Sequence, residues 1–529
     1  MATTTTATRR ADGWRRGSTR RPRGSRIAWT CCSIVLLGSS PVSLAQGTWR
    51  TTPSVSALVT WTNNVDLDSN DRESDWVFTI VPAIGIDYRG ARTSLRGSVA
   101  IPISIYAGTG SENNSINPNA SLAGTWEAID DLFFIDASAN VSQSYYSAFG
   151  ARPPGVINAT ENRYTSQTYQ ISPYLQRYVG GDVSWSIRDD NIWSNASNSP
   201  EDSGWTYINR LFGTINREAS PFGWGADIER TAYRFVDQEP QTLALVRARA
   251  TWRPDPQLEM FASGGYERND SPLNISDYSG VIYGAGFRWR PNERTSLDGS
   301  WEHRFYGESY NVAFEHRRRI SFWSLRAYRT LTTYAEQIVN LQQGASVSAI
   351  LDRALQSRIP DADERTRFIA EFMSDRGLPA FADQPISIYS QRFNVVQGAS
   401  ASVGLVGVRN SLVGTVYTVQ TQPITGAGQE IPPEIAQSDS NTQYGVGAIW
   451  SYRLTSLSSF ALSAGASRAE AEPPLEDRSD QFTLRAIYTT TIGARTTAFC
   501  GASWQNFDSN VQSDYTEMSV FAGIAYRFW

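Results

Sequence analysis

The last twelve residues, Met518-Ser-Val-Phe-Ala-Gly-Ile-Ala-Tyr-Arg-Phe-Trp529, restrict the fold more than any other stretch of the chain. Met518, Val520, Ala522, Ile524, Tyr526 and Phe528 share one parity, while Glu517, Ser519, Gly523 and Arg527 share the other. Successive side chains of a β-strand point to opposite faces, so this alternation gives one apolar face and one polar face. A strand apolar along one whole side reads as a membrane-crossing strand, and strands cross membranes in closed barrels.

The terminal aromatic pair resembles the signal that ends bacterial outer-membrane barrels. Ile524, Tyr526, Phe528 and Trp529 are therefore the candidate assembly signal, with outer-membrane lipid and the barrel-assembly machinery as expected partners. Trp529 departs from the usual final Phe. The N-terminus agrees: residues 1–26 hold eight arginines and precede the apolar run Ile27–Gly38. Twelve helical residues rise about 18 Å, too little for a hydrocarbon core of about 30 Å. Val42-Ser-Leu-Ala45 offers a small-x-small cleavage site, so residues 1–45 are expected to be a signal peptide and the product to reach the outer membrane of a Gram-negative cell.

No later segment approaches the roughly 18 uninterrupted apolar residues of a helical span. In a barrel, lipid-facing residues are diluted one for one by lumen-facing polar ones, so alternation survives where average hydropathy fails. The 17 Trp and 24 Tyr suit interfacial aromatic girdles, and the 40 Gly suit many tight turns. All 47 basic residues are Arg; removing eight Arg and Asp12 with residues 1–45 leaves 39 basic and 51 acidic residues, a net charge of −12. Such a chain is a poor nucleic-acid ligand. Cys500 alone follows Ala45, which excludes an intramolecular disulfide.

From Thr51 onward, segments with period two are joined alternately by long polar loops and very short turns. Long loops include 64–75, 149–162 and 421–441; short turns include Arg89-Gly-Ala-Arg92, Gly180-Gly-Asp182, Arg290-Pro-Asn-Glu-Arg294 and Arg409-Asn410. Long outside loops and short periplasmic turns predict an all-β chain, residues 46–529, forming an antiparallel up-and-down transmembrane barrel of about 22 strands. The count takes 388–408 as one long strand. Polar parity nominates Arg247, Arg249, Arg288, Arg290, Glu302, Arg304 and Glu315 as lumen-lining candidates, a mixed-sign interior able to set charge selectivity. A 22-strand count also suggests a TonB-dependent transporter, but alternation starts too near the cleavage site to leave room for an N-terminal plug.

Residues 334–385 leave the pattern. Val347, Ile350, Leu351 and Leu355 fall on one helical face, Asp361–Glu364 resembles a capping box, and Gly377 fits a C-terminal cap. Parity puts this helical insertion on the extracellular side, as a surface loop or as a lid or plug. Enzymatic chemistry finds little support. His303 and His316 fall on the apolar parity, and pairing through a 305–309 turn sets His303 beside Asn311, about five rungs or roughly 17 Å from His316. Asp66-Leu-Asp-Ser-Asn-Asp71 opens like a calcium loop, but Asp71 stands where Gly is needed and Val77 where Glu is needed. No metal ligands and no cofactor are expected.

The stretch Phe287-Arg-Trp-Arg-Pro-Asn-Glu-Arg-Thr-Ser-Leu-Asp-Gly-Ser-Trp-Glu-His-Arg-Phe-Tyr-Gly-Glu-Ser-Tyr310, with Phe314-Glu-His-Arg-Arg-Arg319 and Ser321-Phe-Trp-Ser-Leu325, resembles an uncharacterised outer-membrane barrel family associated with the PEP-CTERM/exosortase system. That resemblance implies a context of exopolysaccharide synthesis and export, with exopolysaccharide or its export components as partners. The expected function is a non-enzymatic channel or secretion component; the alternative is a closed structural barrel whose loops bind polysaccharide or sorted proteins.

Overall fold

The computed structural model describes residues 47–528, apart from 111–112, 154, 156, 159, 161, 198–203, 219, 237–239, 271–278, 342–345, 388–392, 425–439 and 474. The signal-peptide reading and Trp529 fall outside the described residues. The first strands are β1 (Thr48–Thr62), β2 (Asp75–Arg89), β3 (Thr93–Ala100), β4 (Ile103–Tyr106), β5 (Ser115–Ile116), β6 (Asn119–Ile129), β7 (Phe133–Tyr145) and β8 (Arg163–Val179). Then come β9 (Val183–Ser197), β10 (Thr206–Arg217), β11 (Phe222–Arg234), β12 (Gln241–Asp255), β13 (Leu258–Asp270), β14 (Gly280–Asn292), β15 (Thr295–Arg304), β16 (Gly307–Arg317) and β17 (Ser321–Thr332). Helices α1 (Tyr334–Leu341), α2 (Val347–Leu355) and α3 (Ala362–Arg376) intervene before β18 (Asn394–Val406), β19 (Asn410–Pro423) and β20 (Asn441–Arg453). The last strands are β21 (Ser458–Ala471), β22 (Arg478–Gly493), β23 (Thr496–Ser509) and β24 (Tyr515–Arg527).

Each strand pairs antiparallel with its neighbour, and β24 returns to β1 in register from Ser54–Arg527 to Thr62–Ser519, which closes the wall. Pro102 and Pro118 lie side by side, with the Asn117 N–H donating to the Pro102 carbonyl. Proline cannot donate to the ladder, so each interrupts its strand. Segments β3 and β4 both pair with β2, and β5 and β6 pair with them in turn, so the 24 segments form a 22-strand barrel.

Alternation places an apolar belt outside. Trp76, Phe78, Ile80, Trp323, Leu325, Val446, Trp450, Val520 and Ile524 are all exposed there. A wall shallow in side chains at Ala327, Ala399 and Ala401 leaves an outward recess of about 1200 Å³ edged by Phe314, Leu325, Val416, Val446 and Phe482. One rim carries ten turns of two to four residues; the other carries the longer connections, the short β15–β16 turn and the inserted helices. These are the short-turn rim and the long-loop rim below. Register shifts at Glu127/Ile129, Trp252/Asp255, Trp289/Asn292 and Thr491/Gly493 all fall at the short-turn rim, where a bulge can tighten a turn without reversing the faces of the strand.

Two details differ from the sequence reading. The strand expected over 388–408 is described from Asn394 to Val406, and residues 388–392 fall outside the described residues. The β15–β16 turn is only Phe305-Tyr306, closed by Gly307 at φ 92°, a left-handed conformation that glycine adopts without a Cβ clash. His303 therefore faces Glu308, not Asn311, and His316 faces Thr295. Along β15 these positions are eight residues apart, or about 27 Å at 3.4 Å per residue.

Candidate functional site

The lumen holds the described parts of the chain between β17 and β18. Helix α1 crosses from the end of β17 to strands on the far wall. Its Tyr334 hydroxyl donates to Ser166 Oγ at 2.8 Å and receives the Tyr164 hydroxyl at 2.8 Å, while Glu336 accepts from the Tyr233 hydroxyl at 3.2 Å. Helix α2 packs inside β17 and β18. Val347, Ile350, Leu351, Ala354 and Leu355 form an apolar cluster with Phe322, Val406, Val413 and Ile449 from the wall and with Ile369 and Phe372 of α3. A Cβ on Gly404 would come within 2.8 Å of Ile350, so glycine is what lets α2 approach β18.

Beyond α2 the chain reaches the short-turn rim. Arg358 donates to the carbonyls of Arg319 at 3.1 Å and Val406 at 2.8 Å, both at that rim. The Asp361 side chain caps α3 by accepting from the amides of Asp363 and Glu364, and Gly377 ends the helix in the left-handed region at φ 59°. Between these caps α3 lies across the opening. Near its start, Asp363 takes ion pairs from Arg89 and Arg96 of β2 and β3. Near its end, Arg376 donates to Ser451 Oγ at 2.9 Å, Ser459 Oγ donates to the Asp375 carbonyl at 2.7 Å, and Arg527 donates to Ser374 Oγ at 2.9 Å. The two guanidinium groups, through their hydrogen bonds above all, hold the Asp363 carboxyl below the usual carboxylate range.

The chain then climbs along β20. It passes Gly447, where an added Cβ would come within 2.6 Å of the Ala382 backbone, and reaches Gln443, whose amide both accepts from the Ile386 N–H at 2.8 Å and donates to its carbonyl at 3.0 Å. Asp383 is carried into the interior beside Tyr417, with one carboxylate oxygen lacking a hydrogen-bond partner among the described residues. Burial pushes its pKa up to about 7, because a charged carboxylate is poorly solvated there. At the long-loop rim, residues 148–152 reach across to β22 and β23. Ser479 Oγ donates to the Ala148 carbonyl at 2.7 Å, Gln481 to the Arg152 carbonyl at 2.7 Å and Ser509 Oγ to the Phe149 carbonyl at 3.1 Å. Chain thus crosses both mouths. The insertion begins at the rim that parity assigns to it, and then turns inward and reaches the opposite rim.

The seven lumen-lining candidates sit on the inward parity of β12 and β14–β16. Six are neutralised in pairs. Asp227, with a side chain only 5% exposed, accepts from Arg247 at 3.0 Å, Arg249 at 3.0 Å and Thr214 at 2.9 Å, and Arg247 also reaches Glu302 at 2.6 Å. Arg304 pairs with Glu267 at 2.8 Å, Arg288 with Asp298 at 3.0 Å, and Glu315 with Arg353 of α2 at 3.1 Å. Arg290 has no such partner among the described residues. The anchoring partners Asp227, Glu267, Arg353 and Asp363 were not singled out by the sequence, since the pairings join strands or helices far apart in the chain.

His303 stacks on Tyr283 and lies 3.0 Å from Glu308, while His316 lies 3.0 Å from Thr295 Oγ1; both are on the outer face. Asp68 in the calcium-like loop is spent on its own backbone, accepting from the amides of Asn70 at 2.7 Å and Asp71 at 3.0 Å. Among the described residues no cluster of three His, Cys, Asp or Glu side chains is placed to hold a metal ion. Of the assembly-signal candidates, Ile524, Tyr526 and Phe528 are exposed.

No protein-family model and no curated protein matches the chain. Among solved structures it is similar to the siderophore receptor PirA from Pseudomonas aeruginosa at 9% identity, covering 92% of this chain and 81% of that one, with a TM-score of 0.42. It is similar to the FrpB iron transporter from Neisseria meningitidis at 8% identity, covering 90% and 82%, with a TM-score of 0.44. For OccK5 from Pseudomonas aeruginosa the identity is 6%, the coverage 90% and 98%, and the TM-score 0.31.

Proposed function

We propose that this chain is a non-enzymatic outer-membrane barrel that serves as a gated conduit, with the segment between β17 and β18 as its gate. The apolar belt faces lipid, and acyl chains fill the recess over Ala399 and Ala401. The long-loop rim is the outer side. One observation carries the reading: the apolar faces of α2 and α3 pack together against β17–β20, while the start of α3 is tied to β2 and β3 by the polar latch of Arg89 and Arg96 on Asp363. A segment packed on one side and latched on the other can release its latched end without dismantling its core. The resemblance of residues 280–333 to barrels of the PEP-CTERM/exosortase system supports exopolysaccharide, or a component of its export, as cargo or partner.

The test is conductance of residues 46–529 refolded into a planar bilayer, compared with a variant lacking 334–384. Low conductance in the full chain and a steady rise in the deletion is the expected result. Silence in both, with heat-modifiable migration showing that both barrels are folded, supports the alternative of a closed binding barrel. The crossing of the outer mouth by residues 148–152 is the observation that favours this alternative.

A further inference from the structure

Inside the short-turn rim, between α2 and the wall, lies a recess of about 600 Å³. Its walls come from the β14–β15 turn, from β16 and from α2, and it is lined by Arg290, Arg294, Arg317 and Arg353 against two carboxylates, Glu293 and Glu315. The arginines are not equally committed. Arg353 pairs with Glu315 at 3.1 Å, and Arg317 is held by the Gln356 side chain and the Glu293 carbonyl. Arg290 and Arg294 carry no ion pair or side-chain hydrogen bond among the described residues. On the neighbouring strands the inward arginines are paired, as in Arg247 with Asp227 and Glu302 or Arg304 with Glu267.

We infer that this recess is an anion site, which takes a multivalent oxyanion of the carboxylate or phosphate class entering from the short-turn side. A guanidinium presents a planar fork of donors that matches two oxygens of one carboxylate or phosphate, and charge-assisted pairs of this kind are among the stronger polar contacts. Two uncommitted forks in one recess favour a ligand with more than one anionic group. The volume suits a small molecule or the end of a chain, within the range of ordinary ligand pockets. The site is also joined to the gate. Arg353 belongs to α2, so an oxyanion that replaces Glu315 as its partner loosens one of the contacts that tie α2 to β16.

Calorimetric titration of the refolded barrel, residues 46–529, with citrate, inorganic tripolyphosphate and neutral maltotriose tests this. The expected result is binding of citrate or tripolyphosphate, no binding of maltotriose, and at least a tenfold loss of affinity in R290Q/R294Q with unchanged heat-modifiable migration. Tighter citrate assigns a carboxylate source, and tighter tripolyphosphate a phosphate source. Equal binding of maltotriose, no binding of either anion, or an undiminished affinity in the double variant overturns the site. Glu315→Gln frees Arg353 and is expected to tighten anion binding several-fold; unchanged or weaker binding overturns the link to α2. The site does not depend on conduction, so a barrel silent in the bilayer but still binding citrate refutes the conduit alone.

Discussion

The two halves of the lumen wall are built by opposite means. From β7 to β16 inward positions carry charge, joined across strands by Arg188–Asp136, Arg247–Asp227, Arg247–Glu302 and Arg304–Glu267. From β18 to β22 many inward positions are small or apolar, with Ser411, Val413, Ile449, Ser451, Ala461 and Ile487 all buried. Helices α2 and α3 pack on this second half. A polar lumen can thus hold an inserted segment: the less charged half takes α2 and α3 by burying their apolar faces, while the charged half mostly satisfies itself and meets the insertion through α1 and the Glu315–Arg353 pair. Mixed sign in the charged half is therefore mainly internal neutralisation, and only unpaired groups such as Arg290 remain to act on a passing solute.

Substitutions can break this contrast one side at a time. The largest effect is expected from Asp227→Asn, which leaves Arg247 and Arg249 without their shared counter-ion in a half-buried site. Removing one partner of such a network costs roughly 3 kcal/mol, seen as a lower urea midpoint for loss of heat-modifiable migration. On the other half, Gly447→Val puts side-chain atoms where the Ala382 backbone lies. Overpacking of this kind costs about 2 kcal/mol, and here it displaces the inserted segment and not the barrel. Cleavage at Arg376 by an arginine-directed protease should become faster while the barrel stays intact.

The seated segment also responds to pH. Burial raises the Asp383 pKa to about 7, so the seated segment holds this proton more tightly than a released one. Its contribution to closure is complete below the ordinary carboxylate pKa and is lost as pH rises through about 7. Conductance should therefore increase between pH 5 and pH 8, and Asp383→Asn should flatten that rise. Asp363 works in the opposite sense: its lowered pKa means that the latch is present above the ordinary carboxylate value and is lost as pH falls through the lowered one. The smallest effect is expected from Asp363→Asn, whose partners are largely exposed. It should weaken closure by about 0.5 kcal/mol, read as a roughly two-fold rise in open probability.

Parity was legible throughout because a period of two is a property of each strand by itself. Residues such as Val281, Tyr283 and Phe287 lie on the outer face and Arg288 and Arg290 on the inner, as the alternation implies. Turn length was less legible: His303 was set beside Asn311 until the two-residue Phe305-Tyr306 turn placed it opposite Glu308. Which charges neutralise one another was not legible at all. Arg247 meets Glu302 across three strand boundaries, a contact that depends on how the wall curves and not on spacing along the chain.

The barrel and its two unlike rims follow from local sequence, since alternation dictates which face of each strand is apolar and connection lengths dictate which rim carries the short turns. The helical caps at Asp361 and Gly377 belong with these, being local hydrogen-bond and steric requirements. Only the tertiary structure decided that the insertion folds inward. Its apolar stripe needed a partner surface, and that surface, from Phe322 and Gly404 to Val413 and Ile449, exists only once four separate strands stand side by side in the closed wall.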